Sequence, residues 1–185
     1  MGPLSTPQRS PALTRAWAMP NRHPFVVAPV CELIARYHAG TWCDPFAGRH
    51  SPAALRNDLD PAANADSHED ALAWLKDLPD DGCDGAFYDP PYSPRQAAEC
   101  YKRIGAGSYV NEGYWANVKD HLARIVRAGG VVICCGWNSN GMGSGRGFEL
   151  IELLVVAHGA QHNDTLVTVE RKGVGGTPQE GPNES

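Results

Sequence analysis

No apolar run in the sequence approaches the roughly 18 residues that would span a bilayer. Its start also lacks the charged-then-apolar order of a secretory signal, so a cytoplasmic chain without membrane contact is the expectation. The six cysteines, Cys31, Cys43, Cys83, Cys100, Cys134 and Cys135, include no CxxC pair, which removes the commonest zinc spacing. They lie mostly within apolar segments and read as buried, reduced thiols. Net positive charge is missing too. With 16 Lys and Arg against 21 Asp and Glu, the formal charge of −5 argues against a surface that grips a polyanion everywhere. Any nucleic acid has to meet a local basic patch.

Glycine and proline are plentiful, and they gather at the two ends. MGPLSTPQRSPALTR and GVGGTPQEGPNES read as structureless tails over 1–16 and 173–185, leaving 17–172 as one domain long enough to bury a core. Inside it, PVCELIARYHAG carries Leu33, Ile34 and Tyr37 at helical spacing between Pro29 and Gly40. TWCDPFAG reads as a brief strand that breaks at Asp44-Pro45, and residues 54–61 as a second strand ending in acids. SHEDALAWLKDL predicts a turn into a helix, and DGAFYDPPY another strand. In YWANVKDHLARIVRAGG, Trp115, Val118, Leu122, Ile125 and Val126 share a helical face, with Gly129-Gly130 as the stop. VVICCGW is a buried strand followed by the loop NSNGMGSGRG, and FELIELLVVAHG with DTLVTVERK suggests a closing antiparallel pair.

Helices alternating with short apolar strands predict an open α/β sheet, mostly parallel, with helices on both faces. Such sheets bind ligands outside the carboxyl ends of their strands. Asp44, Asp58, Asp60 and Asp89 all fall on that edge.

One corner stands out. In FYDPPYSPRQ two consecutive prolines fix φ and remove two backbone donors, so the chain leaves the sheet stiffly and holds Asp89 and Tyr92 on a rigid turn. Such a corner suits an exocyclic amine of a nucleobase, whose lone pair is delocalised into the ring. The Asp89 carboxylate and the Pro90 carbonyl would each accept one N–H, drawing the nitrogen toward tetrahedral geometry, while Pro90 and Pro91 keep the acceptors from reorganising. Tyr92 would stack on a base taken out of its helix. A proline-rich turn with a helix-capping acid is the plainer reading of the same residues.

Asp44-Pro45-Phe46-Ala47-Gly48 followed downstream by Asp89-Pro90-Pro91-Tyr92 resembles the amino-group DNA methyltransferases that use S-adenosylmethionine. The likeness runs from about Phe25 to Lys172. It is strongest to the small adenine-specific enzymes of phages and prokaryotes, with counterparts of NRHPF, SPRQ, ECY, GWNSNGMG and HND. The resemblance implies a single Rossmann-like methyltransferase domain and transfer to adenine N6. By it, Asp44, Phe46, Ala47 and Gly48 would line the methionine end of the cofactor. Asp58 or Asp60 would accept the ribose hydroxyls, Asp70 would meet the adenine amine, and Phe25 would lie in a segment wrapped over the cofactor. Asp70 as a mere helix cap and Phe25 as core stay open beside these roles.

One departure concerns Arg49-His50-Ser51-Pro52-Ala53, which stands where relatives have a second glycine and a full crossover helix. A loop is expected there instead. Arg95, Lys102 and Arg103 are the best local basic cluster for phosphates, with Trp137 and Asn138 as candidates for the target pocket and Arg9, Arg15 and Arg22 as a flexible arm. A solvated helix face and a core tryptophan are the alternatives. His158, His162 and Asp164 read as a polar turn, and no metal is assigned. DNA is the expected partner, with RNA as the alternative. So little chain is free to read sequence that relaxed or short specificity, a homodimer or a specificity partner is implied. Ribosomal-RNA guanine N2 and DNA cytosine N4 remain alternative targets, protein glutamine is disfavoured by Asp89, and an inactive nucleic-acid-binding relic is the alternative of another class.

Overall fold

The computed structural model describes residues 10–91, 112–159 and 162–174. Seven strands, β1 (Ala12–Trp17), β2 (Trp42–Asp44), β3 (Leu55–Arg56), β4 (Cys83–Tyr88), β5 (Val126–Gly136), β6 (Phe148–Ala157) and β7 (Thr165–Lys172), form one sheet in the order β1-β6-β7-β5-β4-β2-β3. All neighbours run parallel except β7, which is antiparallel to β5 and β6. This is the mostly parallel α/β sheet, closed by an antiparallel pair, that the sequence predicts.

Helices α1 (Ala28–Tyr37), α2 (Ala71–Asp77) and α3 (Glu112–Ile125) cover both faces. On one face Val30, Leu33 and Ile34 of α1 pack with Trp42, Phe87, Ile133 and Val169, and the Trp42 and Phe87 rings stand 4.7 Å apart. On the other, Leu75 of α2 and Val118, Leu122 and Ile125 of α3 pack on Cys43, Ala86, Tyr88, Val132 and Cys134. Alternate strand residues thus feed opposite cores, which is why the central strands read as unbroken apolar runs. Arg124 ties the two helices on that face by donating to the Leu75 and Leu78 carbonyls at the C-terminal end of α2. Cys43, Cys83, Cys134 and Cys135 are buried free thiols and Cys31 is exposed, while Cys100 lies outside the described residues. No helix among the described residues is long and apolar enough to cross a membrane.

Three expectations are corrected. The tail over 1–16 is structured from Ala12, where β1 pairs with β6 in register Ala12↔Glu152 through Trp17↔Ala157. Residues 1–9 and 175–185 lie outside the described residues. The strand expected over 54–61 shrinks to Leu55–Arg56, because acidic side chains capture the backbone beyond it: Asp58 Oδ1 accepts from Asp60 N–H and Asp60 Oδ1 from Ala62 N–H. The third helix stops at Ile125 rather than at Gly129-Gly130, and β5 begins at once with buried Val126. The glycine pair instead lies beside a register shift in the β4–β5 ladder.

Candidate active site

The carboxyl ends of β2 to β5 open onto one cleft of about 890 Å³, within the range that binds a small-molecule ligand. Its floor is the turn after β2. Asp44 is fully buried beneath that turn, with Oδ1 accepting from Phe46 N–H at 2.9 Å and Oδ2 from the Ser51 hydroxyl at 2.6 Å. Burial pushes its carboxyl up to about 7; the negative charges of Asp89 and Asp58 add to this, and the two hydrogen bonds oppose it. Asp44 is absent from the cleft lining and holds the turn through these two bonds.

Phe46, Ala47 and Gly48 do line the cleft. Gly48 has φ +56, and a Cβ there would meet nothing within 4 Å, so the turn needs the left-handed backbone and presents it openly. Asp58 Oδ2 accepts from Gly48 N–H at 2.8 Å, fastening the end of β3 to this turn, and burial holds the Asp58 carboxyl above its usual range. Asp58 and Asp60 both stand in the wall. Asn57, which the sequence reading passed over, is fully buried and binds both sides: its amide donates to the Pro45 and Glu69 carbonyls and accepts from Glu69 N–H. As expected, β2 and β3 pair in parallel with no helix in the ten-residue connection, residues 45–54.

Asp89, Pro90 and Pro91 follow β4 directly and line the same cleft, as does Trp137 after β5. Phe25 lines it from the opposite side, its ring 5.1 Å from that of Phe87. Asp70 is not brought to the cleft. Its Oδ1 caps α2 by accepting from Leu72 and Ala73 N–H, and its Oδ2 accepts from the Tyr114 hydroxyl at 2.7 Å. Asn138 also stays off the lining; its side chain accepts from Asn140 N–H within the loop. Tyr92, Arg95, Lys102 and Arg103 lie outside the described residues.

The loop that follows Trp137 is clamped by buried Glu170 and half-buried Lys119. Glu170 on β7 accepts from Met142 N–H at 2.5 Å and Gly143 N–H at 3.0 Å, while Lys119 of α3 donates to the Gly141 carbonyl and sits 5.2 Å from the Tyr88 ring centre. Burial lowers the Lys119 pKa. A Cβ on Gly141, at φ +44, would fall 1.9 Å from Glu170 Oε2. Gly141→Ala is therefore expected to destabilise the fold by about 2 kcal/mol or more, read from the urea midpoint.

A strap between β1 and α1 forms the facing wall, with Arg22, His23 and Phe25 lining the cleft opposite Arg49 and His50 from the turn beyond Gly48. Arg22, read from the sequence as part of a flexible arm, lies at the mouth of the cleft. The strap is anchored by His158, whose ring nitrogens meet the Ala18 carbonyl and the Thr165 hydroxyl, each at 2.9 Å. His158 and His162 also line the cleft, and no group of three potential metal ligands occurs among the described residues. The signal for this wall was present in NRHPF and GRH, but nothing in their spacing shows that the two segments meet.

No family model matches the chain, and no curated protein sequence matches it. Solved structures do. The 1,6-didemethyltoxoflavin-N1-methyltransferase of Burkholderia thailandensis, determined with its substrate and S-adenosylhomocysteine bound, aligns over 78% of this chain and 76% of its own, with a TM-score of 0.53 and 11% identity. A protein of Escherichia coli described as a methyltransferase, yhhF, aligns over 80% and 84%, with a TM-score of 0.50 and 11% identity. The [4+2]-cyclase SpnF aligns over 80% and 81%, also at 0.50 and 11%. Because one of these relatives in shape is a cyclase, the fold does not fix the reaction, which has to be argued from the site. The chain has the Rossmann-like α/β fold shared with these methyltransferases.

Proposed function

We propose that the protein is an S-adenosylmethionine-dependent methyltransferase acting on an exocyclic amine, adenine N6 in DNA. The observation that carries this reading is the meeting of two motifs at one cleft: the Phe46-Ala47-Gly48 turn and the Asp89-Pro90-Pro91 corner. The residues fit a nucleoside-sized cofactor. An open glycine turn lets backbone approach it, Asp58 and Asp60 stand ready for ribose hydroxyls, and Phe25 and Ala71 add apolar wall. When bound, S-adenosylmethionine supplies an electrophilic methyl group on a sulfonium.

The protein's part is to prepare the nucleophile. Asp89 and the Pro90 carbonyl accept the two amine N–H bonds and localise the nitrogen lone pair. The prolines hold these acceptors in place beforehand, where preorganised electrostatics contribute most. Transfer is direct and in line, with no covalent enzyme intermediate. The target base has to leave its helix to reach this corner, and Trp137, 44% exposed at the cleft, is placed to stack on it. Trp137→Ala is expected to weaken target binding by about 1–3 kcal/mol, raising KM for nucleic acid roughly tenfold or more with a smaller effect on kcat. Sequence specificity on this reading is relaxed or short, or is supplied by a second subunit.

The test is transfer of labelled methyl to separate pools of duplex DNA, ribosomal RNA and protein, followed by digestion and identification of the methylated product. N6-methyladenine in DNA supports the reading. N2-methylguanine in RNA or N4-methylcytosine in DNA would move the protein to another target class. No transfer, with no heat of S-adenosylmethionine binding by calorimetry, would mark an inactive relic, an alternative kept alive by the missing crossover helix between β2 and β3.

A further inference from the structure

Four basic side chains from two parts of the chain converge at the cleft mouth: Arg22 and His23 from the strap, Arg49 and His50 from the turn beyond Gly48. The His23 and His50 rings stand 5.0 Å apart, edge to face, and Arg22 Nε donates to His23 Nε2 at 3.0 Å. Burial, and then the charges of Arg22, His50 and Arg49, hold the His23 imidazole below its ordinary pKa. No carboxylate is among the groups acting on it. Five other arginines are neutralised, Arg36 by Glu152, Arg56 by Asp66, Arg124 by Asp80, Arg127 by Asp84 and Arg146 by Asp120, while Arg15 and Arg171 stand apart from the cleft without an ion pair among the described residues. Neither Arg22 nor Arg49 has an acidic partner among the described residues. As acceptor of the Arg22 bond the His23 ring is neutral, so the positive charge here rests on the two guanidinium groups, whose repulsion an anion bound between them relieves.

We propose that Arg22, His23, Arg49 and His50 form a binding site for a backbone phosphate of the DNA strand that carries the target base. A phosphodiester brings one negative charge with no positive one, which this cluster answers. The amino-acid end of a methyl donor is a zwitterion, of which the two guanidinium groups answer only the carboxylate. The site explains how a chain of net charge −5 engages a polyanion, through a local patch beside the reacting corner. The identity of the strand rests on the methyltransferase reading; the anion site itself rests on the cluster.

The experiment measures binding of a short single-stranded DNA and its duplex across a salt series, for wild type and Arg22→Gln/Arg49→Gln, with S-adenosylhomocysteine binding measured in parallel. Both arginines are exposed, so the fold tolerates the change. The double variant is expected to lower the log–log salt slope by about 1–2 while holding S-adenosylhomocysteine affinity within about twofold, and Arg22→Lys/Arg49→Lys is expected to keep most of the slope. An unchanged slope, wild-type protein that binds neither DNA, or a loss confined to S-adenosylhomocysteine would overturn the phosphate site. Arginine-dependent DNA binding without any methyl transfer would leave this site standing and sink the catalytic reading. Full transfer by a double variant with an unchanged slope would do the reverse.

Discussion

Asp89→Ala is expected to lower methyl transfer by about 10²–10³-fold while leaving S-adenosylmethionine affinity nearly unchanged. The carboxylate is needed when the amine nitrogen gains positive charge, and alanine removes both the acceptor and that charge. Asp89→Asn keeps an acceptor oxygen but no charge, so it should fall between wild type and alanine. The ordering wild type, asparagine, alanine in single-turnover rate is the informative result, because loss of cofactor binding would produce no such gradation. If both variants lose cofactor affinity along with rate, Asp89 belongs to the cofactor pocket and the amine has another partner.

The second large effect concerns Asp44. Its carboxyl is raised from the ordinary 3.8 to about 7 by burial, so the folded state holds this proton more tightly than the unfolded chain does. Stability from this group is complete below about pH 4, declines as pH rises through the interval, and is lost above about 7. Asp44→Asn keeps an acceptor for Phe46 N–H and a polar partner for Ser51 without a titrating charge. The stability of wild type relative to this variant should therefore fall by about 3 kcal/mol between pH 5 and pH 8, measured as paired urea melts. In a domain of this size that corresponds to a shift of roughly 10 °C in the difference between the two melting temperatures. A pH-independent gap would show that Asp44 is ionised in the fold at both values, held by its hydrogen bonds against burial.

The parts of this molecule that could be read from the chain are those whose signal is local. Central strands such as VVICCGW announce themselves because both faces are buried, and the two Asp-Pro corners because proline ends a strand wherever it stands. Strand β1 was missed for the opposite reason. ALTRAW is nearly all exposed, sits in Pro- and Ser-rich surroundings, and owes its structure to β6 at the far end of the chain. Asp44 was legible as important but not as buried, since a motif fixes a position and not the direction of a side chain. Asp70 shows the same limit: the cap it makes and the contact expected of it call for the same residue at the same place. The basic mouth was invisible because neither NRH nor GRH is a cluster until the fold joins them.

The order in which the chain is made bears on the strap. Among the described residues strand β1 is the first element, yet its partner β6 is next to last, and the anchor at His158 lies beyond that. A growing chain that has already emerged past both Asp-Pro corners still has no partner for β1, so the wall bearing Arg22, His23 and Phe25 cannot close until β6 has been made. Chains ending before β6 would thus display the corners without the wall, which makes full ligand binding a property that arrives only once β6 and His158 are in place.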